Sequence, residues 1–116
     1  MKKFIVDRKT WLRGEGGSRS SLLRANDNKM CCLGFLSCEL GLQKSEIREV
    51  PHPANLSLIR SVRNKFEGLL NEESRLTNVC EEIMRYNDSK NITDAERENS
   101  LTKEFKSINW EVEFIN

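Results

Sequence analysis

The most continuous apolar segment of the chain is Met30-Cys-Cys-Leu-Gly-Phe-Leu-Ser-Cys-Glu-Leu40. Its apolar residues recur at the spacing of a helix, and they cover most of the circumference rather than one narrow face. A helix of this kind lies in the middle of a protein core. We therefore predict a central helix over residues 29–40.

Three features define the limits and surroundings of this helix. The turn residues Asn26-Asp27-Asn28 precede it and are predicted to supply its N-cap. Gly41 follows it at the position where a left-handed residue ends a helix. Gly34 lies inside it, where glycine costs up to about 1 kcal/mol relative to alanine. We therefore expect another element to approach the helix closely at Gly34.

The chain beyond the central helix alternates between helical patterns and breaks. Residues 45–48 form one predicted helical turn, and residues 77–86 form a longer helix with Thr77 as its cap. Asn87-Asp88 ends that helix. Residues 57–70 fit either a helix or a strand of mixed polarity, and we favour the helix.

The last predicted helix begins at a capping box. In Thr93-Asp-Ala-Glu96 the threonine hydroxyl and the glutamate carboxylate each accept from a free backbone N–H. The helix continues to about residue 107, and its apolar spacing directs Leu101, Phe105 and Ile108 inward.

Strands are predicted at both ends of the chain. Phe4-Ile-Val6 favours β structure and makes residues 2–6 a strand, while Trp110-Glu-Val-Glu-Phe114 alternates with period 2, as in a half-buried strand. An isolated strand is not stable, so we expect these two strands to pair. The fold class is therefore α+β. One domain over residues 1–116 has a small sheet that contains both terminal strands and packs against three to four helices.

The composition indicates a single folded domain. The 116 residues are close to the commonest domain length, and 19 basic side chains nearly cancel 18 acidic ones, which argues against disorder. No run approaches the roughly 20 apolar residues of a membrane helix. Asp7 and Arg8 interrupt the apolar start too early for a signal peptide. We expect a cytoplasmic protein whose four cysteines remain thiols.

The residues give little support for catalysis or metal binding. The single histidine, His52, lies between two prolines in a predicted surface corner. The cysteines are expected in the core, where burial makes a thiol unreactive. Cys31, Cys32 and Cys38 lack the CxxC spacing of a zinc site. We expect no catalytic residue, no metal and no cofactor, and hence a protein that is not an enzyme.

The basic charge is concentrated around one loop near the N-terminus. Residues 1–37 carry a net charge of +5, and the remaining 79 residues sum to −4. The loop is Gly14-Glu-Gly-Gly-Ser-Arg-Ser-Ser21. Backbone N–H groups of a glycine-rich turn can converge on an anion, and arginine guanidinium pairs with phosphate. The pattern predicts a site for a small phosphorylated nucleotide.

The predicted ligand-binding residues combine three kinds of group. Arginines hold phosphate, glycine N–H and serine O–H groups donate to it, and an aromatic ring (Trp11 or Tyr86) stacks on the base. The full set is Trp11, Arg13, Gly16, Gly17, Ser18, Arg19, Arg24, Tyr86 and Asn87.

Simpler interpretations compete with this site. A mobile surface loop whose arginines only maintain solubility has the same sequence, and Asn87 serves equally as a helix stop. The segment matches neither a P-loop nor a dinucleotide-binding glycine motif. DNA or RNA ranks below a small ligand as a partner because the acidic remainder would repel a duplex.

Five segments make the chain similar to a family of small proteins from tailed phages and prophages. They are the opening strand with Trp11-Leu-Arg-Gly14, Ser21-Leu-Leu23, Lys29-Met-Cys-Cys-Leu-Gly-Phe35 with Cys38 and Gly41, the stretch from Ile83 to Asp88, and Val112-Glu-Phe-Ile115. Residues 54–76 match least. The family carries no established activity, so the resemblance implies a setting, the cytoplasm of a host bacterium.

In that setting the resemblance implies a protein that counters host defence. One hypothesis is a non-enzymatic protein that sequesters a nucleotide immune signal, of cyclic dinucleotide or cyclic ADP-ribose type. Proteins that act in this way are commonly oligomers, so we expect a homo-oligomer. The alternative is direct inhibition of a host defence protein, because opposed charged regions steer association with a protein partner.

Overall fold

A computed structural model describes residues 2–51 and 73–116 of the chain. The prediction for residues 57–70 and the position of His52 lie outside the described residues. The described elements, in chain order, are strand β1 (Lys2–Asp7), a 3₁₀ turn (Gly17–Arg19), helices α1 (Cys32–Glu39), α2 (Lys44–Ile47), α3 (Glu73–Asp88) and α4 (Asp94–Lys106), and strand β2 (Trp110–Ile115). The predicted α+β class is confirmed.

The two terminal strands form a parallel pair. Phe4 lies opposite Val112 in the register, and the same offset holds from Lys2 to Asp7. The strands alternate, so that Phe4, Val6, Trp110 and Val112 are buried on one face of the sheet. The expected pairing of the first and last strands is therefore correct, and the helices all lie in the long connection between them.

Helix α1 lies in the core, as its apolar circumference predicts. Gly34 is required there because a Cβ atom at this position would lie 2.0 Å from the carbonyl oxygen of Leu22. The expected close approach at Gly34 is therefore a contact with backbone. Gly41 follows the helix with φ +98°, in agreement with its predicted terminating role.

The predicted start of α1 is wrong. Asn26-Asp27-Asn28 form a turn in which the Asn28 N–H donates to the carbonyl of Arg24 at 2.8 Å, and the chain then runs extended to Cys31. Cys31 is the N-cap residue and supplies no side-chain hydrogen bond. Instead Asn87 Oδ1 accepts from the Cys32 N–H at 3.1 Å. The helix start is capped from α3, 55 residues away.

Helix α3 is longer than predicted at both ends. It begins at Glu73, so Thr77 lies inside it and the prediction of Thr77 as a cap is wrong. It ends at Asp88, within two residues of the predicted break. Helix α2, at Lys44–Ile47, matches the predicted single turn to within one residue.

Helix α4 follows its sequence signals closely. Thr93 Oγ1 accepts from the Glu96 N–H at 3.1 Å, which confirms the predicted threonine cap. Leu101, Phe105 and Ile108 are buried, as predicted. The Phe105 ring meets the Phe4 ring edge to face at a centroid distance of 4.9 Å and so joins α4 to β1.

Two isolated bridges place the N-terminal loop. Trp11 pairs with Met30 just before α1, and Leu23 pairs with Arg48 just after α2. The segment between Trp11 and Leu23 is therefore anchored at both ends against the α1–α2 region. Among the residues that the structure describes, no helix has the length and apolar character needed to cross a membrane.

Candidate functional site

The nine predicted site residues separate into two groups. One group surrounds the C-terminal end of α3, and the other lies along an open cleft beside the 3₁₀ turn. The first group comprises Trp11, Arg13, Gly16, Tyr86 and Asn87; the second comprises Ser18, Arg19 and Arg24, with Gly17 at the junction.

Asn87 is the centre of the first group. Its side chain is fully buried, at 0% exposure. Its Oδ1 accepts from the Trp11 indole N–H at 2.8 Å and from the Cys32 N–H at 3.1 Å, and its Nδ2 donates to the Leu12 carbonyl at 3.0 Å. One amide side chain therefore connects the N-terminal segment, α1 and α3.

Trp11 belongs to the core. It is 2% exposed, and its ring lies 5.0 Å from the ring of Phe114 on β2. The predicted use of Trp11 as a stacking surface for a base is therefore wrong for this conformation, because both its ring and its N–H already have protein partners. The same is true of Asn87 as a predicted ligand-binding group.

Arg13 packs over the Trp11 ring at 4.5 Å from its centroid. Its guanidinium donates to the carbonyl of Arg8 at 3.1 Å and to the Asp94 carboxylate at 3.3 Å. These contacts hold the chain between β1 and the loop against α4. Arg13 therefore acts as a link between elements rather than as a free phosphate ligand.

The first part of the loop caps the C-terminus of α3. The Gly14 and Gly16 N–H groups donate to the carbonyls of Asn87 and Asp88, each at 2.9 Å. The buried Arg97 guanidinium donates to the carbonyls of Tyr86 and Asn87 at 2.7 and 3.0 Å. A helix leaves its last four carbonyls without helical partners. Here the loop and Arg97 donate to the carbonyls of residues 86–88, and the Ser89 N–H donates to the Arg85 carbonyl at 3.1 Å.

This capping changes the interpretation of the glycines. A site for an anion needs N–H groups that point together into open space. The N–H of Gly16 is instead committed to Asp88, and the backbone at Gly16 (φ 85°, ψ 158°) is one that glycine alone adopts readily. The predicted role of Gly16 as a donor to a ligand is therefore wrong.

Tyr86 lies apart from the loop's open side. Its ring is partly buried against the core, and the Arg85 guanidinium packs 4.5 Å from its centroid. It does not line the cleft beside the 3₁₀ turn.

The second group lines a cleft of about 460 Å³. Its walls are residues of the loop, the following turn and the chain after α2: Ser18, Arg19, Ser20, Ser21, Arg24, Ala25, Asn26, Glu49 and Pro51. A volume of this size lies within the range of small-molecule pockets.

The two arginines of the cleft have different environments. All three guanidinium nitrogens of Arg24 donate to the carboxylates of Glu15 and Asp27, at 2.6 to 3.2 Å. These bonds raise the pKa of Arg24 and hold the pKa of Asp27 at about 2. Arg19 is 68% exposed, and its nearest carboxylate is Glu15 at 3.7 Å. Arg19 is therefore the arginine with donors available to a ligand.

The lining of the cleft also includes the carboxylate of Glu49. Glu49 accepts a hydrogen bond from the Ala25 N–H, and its own N–H donates to the Leu23 carbonyl at 2.8 Å. Ser20 Oγ is buried and has no hydrogen-bond partner within the described part of the chain. The cleft thus pairs one accessible guanidinium with serine hydroxyls and one fixed carboxylate.

Sequence reasoning missed Glu49, Pro51 and Arg97. The first two reach the cleft only because Leu23 bridges Arg48, a contact between distant segments with no local signal. An arginine in the first turns of a polar helix is typical of solvent exposure, so nothing in the sequence distinguished Arg97 from its neighbours.

The cysteines are free thiols. Burial raises the pKa of both Cys31 and Cys80 to about 12, which makes their thiolates scarce at neutral pH. Over residues 2–51 and 73–116, no group of three or more histidine, cysteine or acidic side chains is arranged to hold a metal ion.

No protein-family model matches the chain, and no curated protein or solved structure matches it significantly. The similarity to small phage proteins therefore stays a prediction from the residues quoted above.

Proposed function

We propose that this chain is a phage anti-defence protein that binds a phosphorylated nucleotide signal in the cleft beside the 3₁₀ turn and sequesters it without chemical change. The observation that carries the proposal is the exposed Arg19 guanidinium beside the serine hydroxyls of an open cleft of about 460 Å³. A guanidinium pairs with phosphate through charge-assisted hydrogen bonds.

The Glu49 carboxylate in the lining of the cleft favours a nucleotide over inorganic phosphate as the ligand. Glu49 repels a phosphate group, but a carboxylate accepts hydrogen bonds from ribose hydroxyls. We therefore place the phosphate at Arg19 and Ser18, and the ribose toward Glu49. In this arrangement Arg24 shapes the cleft, because its donors are already bonded to Glu15 and Asp27.

Titration calorimetry against cyclic dinucleotides, cyclic ADP-ribose isomers and inorganic phosphate tests the proposal. Loss of a charge-assisted hydrogen bond costs about 1.5–3 kcal/mol, so Arg19→Ala should weaken nucleotide binding at least about tenfold. Arg85→Ala is the matched control: Arg85 is 62% exposed on α3 and lies outside the cleft.

Three results would count against the proposal. Folded protein that gives no heat with any nucleotide of the panel removes it. Equal weakening by Arg19→Ala and Arg85→Ala places the ligand elsewhere. Glu49→Gln should weaken nucleotide binding and leave phosphate binding unchanged or stronger, and the opposite result reverses the assigned orientation.

A second candidate function is direct inhibition of a host defence protein. It is favoured by the outer face of the sheet, where Ile5 and Ile115 are 49% and 37% exposed among charged side chains, including Lys3 and Glu113, which form an ion pair at 2.9 Å. An apolar pair with a charged rim suits a protein partner of complementary charge.

A stoichiometric complex recovered from infected-host lysate, weakened by salt and abolished by Ile115→Lys, would favour inhibition. Retention of a small molecule with no protein partner would favour sequestration. Arg19→Ala separates the two functions, because it should weaken retention of the small molecule and leave the protein complex unchanged.

A further inference from the structure

The outer edge of β1 presents unused backbone hydrogen-bonding groups. The Arg8 N–H donates to the Ile115 carbonyl at 2.9 Å. This bond sets the alternation: even-numbered residues of β1 direct their N–H and C=O groups toward β2, and Lys3, Ile5 and Asp7 direct theirs away. Within the described part of the chain, the backbone groups of Lys3 and Ile5 have no partner, while the Asp7 carbonyl accepts from the Thr10 N–H at 3.1 Å.

The side chains of the same three residues lie on the solvent face of the sheet. Ile5 is 49% exposed, which is unusual for a large apolar residue at the centre of an edge strand. Lys3 and Asp7 flank it at equal distances along the strand, two residues to each side. The pattern cation, isoleucine, anion is symmetrical in position and opposite in charge. Within one protomer Lys3 Nζ pairs with Glu113 at 2.9 Å, and the Asp7 carboxylate accepts from the Lys9 N–H and from Asn116 Nδ2. Pairing with a second copy therefore exchanges these exposed contacts for new ones.

Such a pattern is complementary to itself in one arrangement. If a second copy of the strand pairs antiparallel about Ile5, each Ile5 lies opposite the other, and each Lys3 lies opposite an Asp7 of the second copy. The N–H and C=O groups of Ile5 point outward, so the two Ile5 residues form a hydrogen-bonded pair at the centre of the new ladder. In the flanking pairs the Asp7 N–H donates to Lys3, and the Asp7 carbonyl, which already accepts from Thr10, takes a second hydrogen bond. Shifting the axis to Phe4 or Val6 instead places Ile5 opposite a charged residue.

A groove of about 490 Å³ beside this edge lies between β1 and α1 and is lined by Lys3, Phe4, Ile5, Phe35, Cys38 and Glu39. On the inner face of the sheet, pairing about Ile5 sets Phe4 opposite Val6 of the second copy. It also sets Lys2 opposite Arg8, whose charge is balanced by Glu98 at 2.7 Å.

We propose that the outer edge of β1 is a homodimer interface, in which two β1 strands pair antiparallel about Ile5 to form one four-stranded sheet. The interface is separate from the cleft beside the 3₁₀ turn, so the proposal stands independently of the ligand. Among the described residues this edge has no strand partner, and an unpartnered edge is open to non-specific pairing, so the proposal gives it a defined occupant.

Charge reversal across the interface is the main test. Lys3→Asp sets two carboxylates opposite each other, and Asp7→Lys sets two ammonium groups opposite each other, so each variant alone should raise the dimer dissociation constant at least about tenfold. An equimolar mixture of the two should form a heterodimer, in which both pairs are again of opposite charge. Sedimentation equilibrium and native mass spectrometry measure both effects.

One control variant outside the interface and one further variant at its centre accompany this test. Lys103→Asp reverses an exposed charge on α4 and should leave dimerisation unchanged. Ile5→Pro removes both the outward N–H and the isoleucine side chain at the centre of the interface, while the even-numbered residues of β1 keep their bonds to β2, so it should abolish dimerisation. Circular dichroism checks that each variant is folded.

Hydrogen exchange gives a residue-specific readout. The Ile5 amide should be protected in a concentration-dependent way, because the second copy supplies an acceptor and no acceptor for it lies among the described residues of the same protomer. Wild-type protein that stays monomeric to millimolar concentration overturns the proposal. So does a dimer that persists in both reversal variants, or a mixture that gains no heterodimer.

Discussion

Residues 14–16 and residues 17–21 are adjacent parts of one glycine- and serine-rich segment, but the structure uses them in opposite ways. In the first part, N–H groups donate to the end of α3, next to the buried Asn87. In the second part, Gly17 has no atom within 4 Å of where a Cβ would lie, and the serines line an open cleft. Similar composition therefore serves attachment in one part and exposure in the other.

A glycine- and serine-rich composition therefore does not by itself identify a binding loop. What separates the two parts is the supply of nearby acceptors. The C-terminal carbonyls of α3 take up the donors of the first part. The 3₁₀ turn of the second part also contacts α3, yet Ser18 and Arg19 stay exposed and available to solvent or to a ligand. Ser21 is buried, and Ser20 Oγ is buried without a hydrogen-bond partner among the described residues. The two parts can be tested separately.

The largest effect is expected at Asn87. Asn87→Ala leaves the Trp11 indole N–H, the Cys32 N–H and the Leu12 carbonyl buried without partners, and each such group costs about 1–3 kcal/mol. We expect a loss of about 4 kcal/mol in the free energy of unfolding, measured by urea denaturation. Asn99→Ala on the exposed side of α4 is the control and should change stability by less than about 0.5 kcal/mol.

A loss of less than about 1 kcal/mol at Asn87 would mean that water or neighbouring groups replace its hydrogen bonds. The first part of the loop would then be only weakly attached to α3, and the contrast between the two parts would disappear.

Neighbouring glycines give the sharpest comparison. Gly16→Ala forces an alanine into φ 85°, ψ 158°, which costs about 2 kcal/mol. Gly17→Ala meets open space at a negative φ and should be neutral or slightly stabilising, by up to about 0.5 kcal/mol. Thermal and chemical denaturation of the two variants measure the difference, and equal effects would contradict the division between Gly16 and Gly17.

Acid should affect the turn beside the cleft. The hydrogen bond from Arg24 lowers the pKa of Asp27 to about 2 from an ordinary value of 3.8. A lowered pKa stabilises the folded state above the unfolded pKa, and this contribution is lost as the pH falls from about 4 to about 2. Asp27→Asn should therefore be less stable than wild type at pH 5, with the difference shrinking below pH 4.

Unfolding free energies of the two proteins at half-unit pH steps measure this change. A difference that stays constant from pH 5 to pH 2 would show that the Arg24–Asp27 pair does not hold the turn.

The smallest effect on stability is expected at Arg19. Its side chain is exposed and makes only a long ion pair with Glu15, so Arg19→Ala should change the free energy of unfolding by less than about 0.5 kcal/mol. The same variant is expected to weaken nucleotide binding. A large loss of stability would show that the second part of the loop is structural as well.

Local patterns predicted most of the secondary structure. The period-2 alternation of residues 110–114, the cap at Thr93 and the apolar circumference of α1 each depend on residues close together in the chain. At the start of α1, a distant residue had replaced the predicted local one. The N-cap expected at Asn26–Asn28 is absent because Asn87 satisfies the start of α1.

The candidate site divides in the same way. The sequence indicated a basic, glycine- and serine-rich segment with donors for an anion, and Ser18 and Arg19 remain in the open cleft. It could not indicate which donors are already bonded. The carboxylates of Asp27 and Glu15 accept hydrogen bonds from the Arg24 guanidinium, and the Gly16 N–H donates to a carbonyl at the end of α3. Composition does not reveal these contacts.

Local sequence patterns were therefore sufficient for the α+β class, the terminal strands and the central helix, because periodicity and turn chemistry act over a few residues. Contacts between distant segments make the strands parallel, bury Asn87 and Trp11, and bring Glu49 and Arg19 into the lining of one cleft. These features depend on hydrogen bonds between segments far apart in the chain, and such bonds form only after the core has brought the segments together.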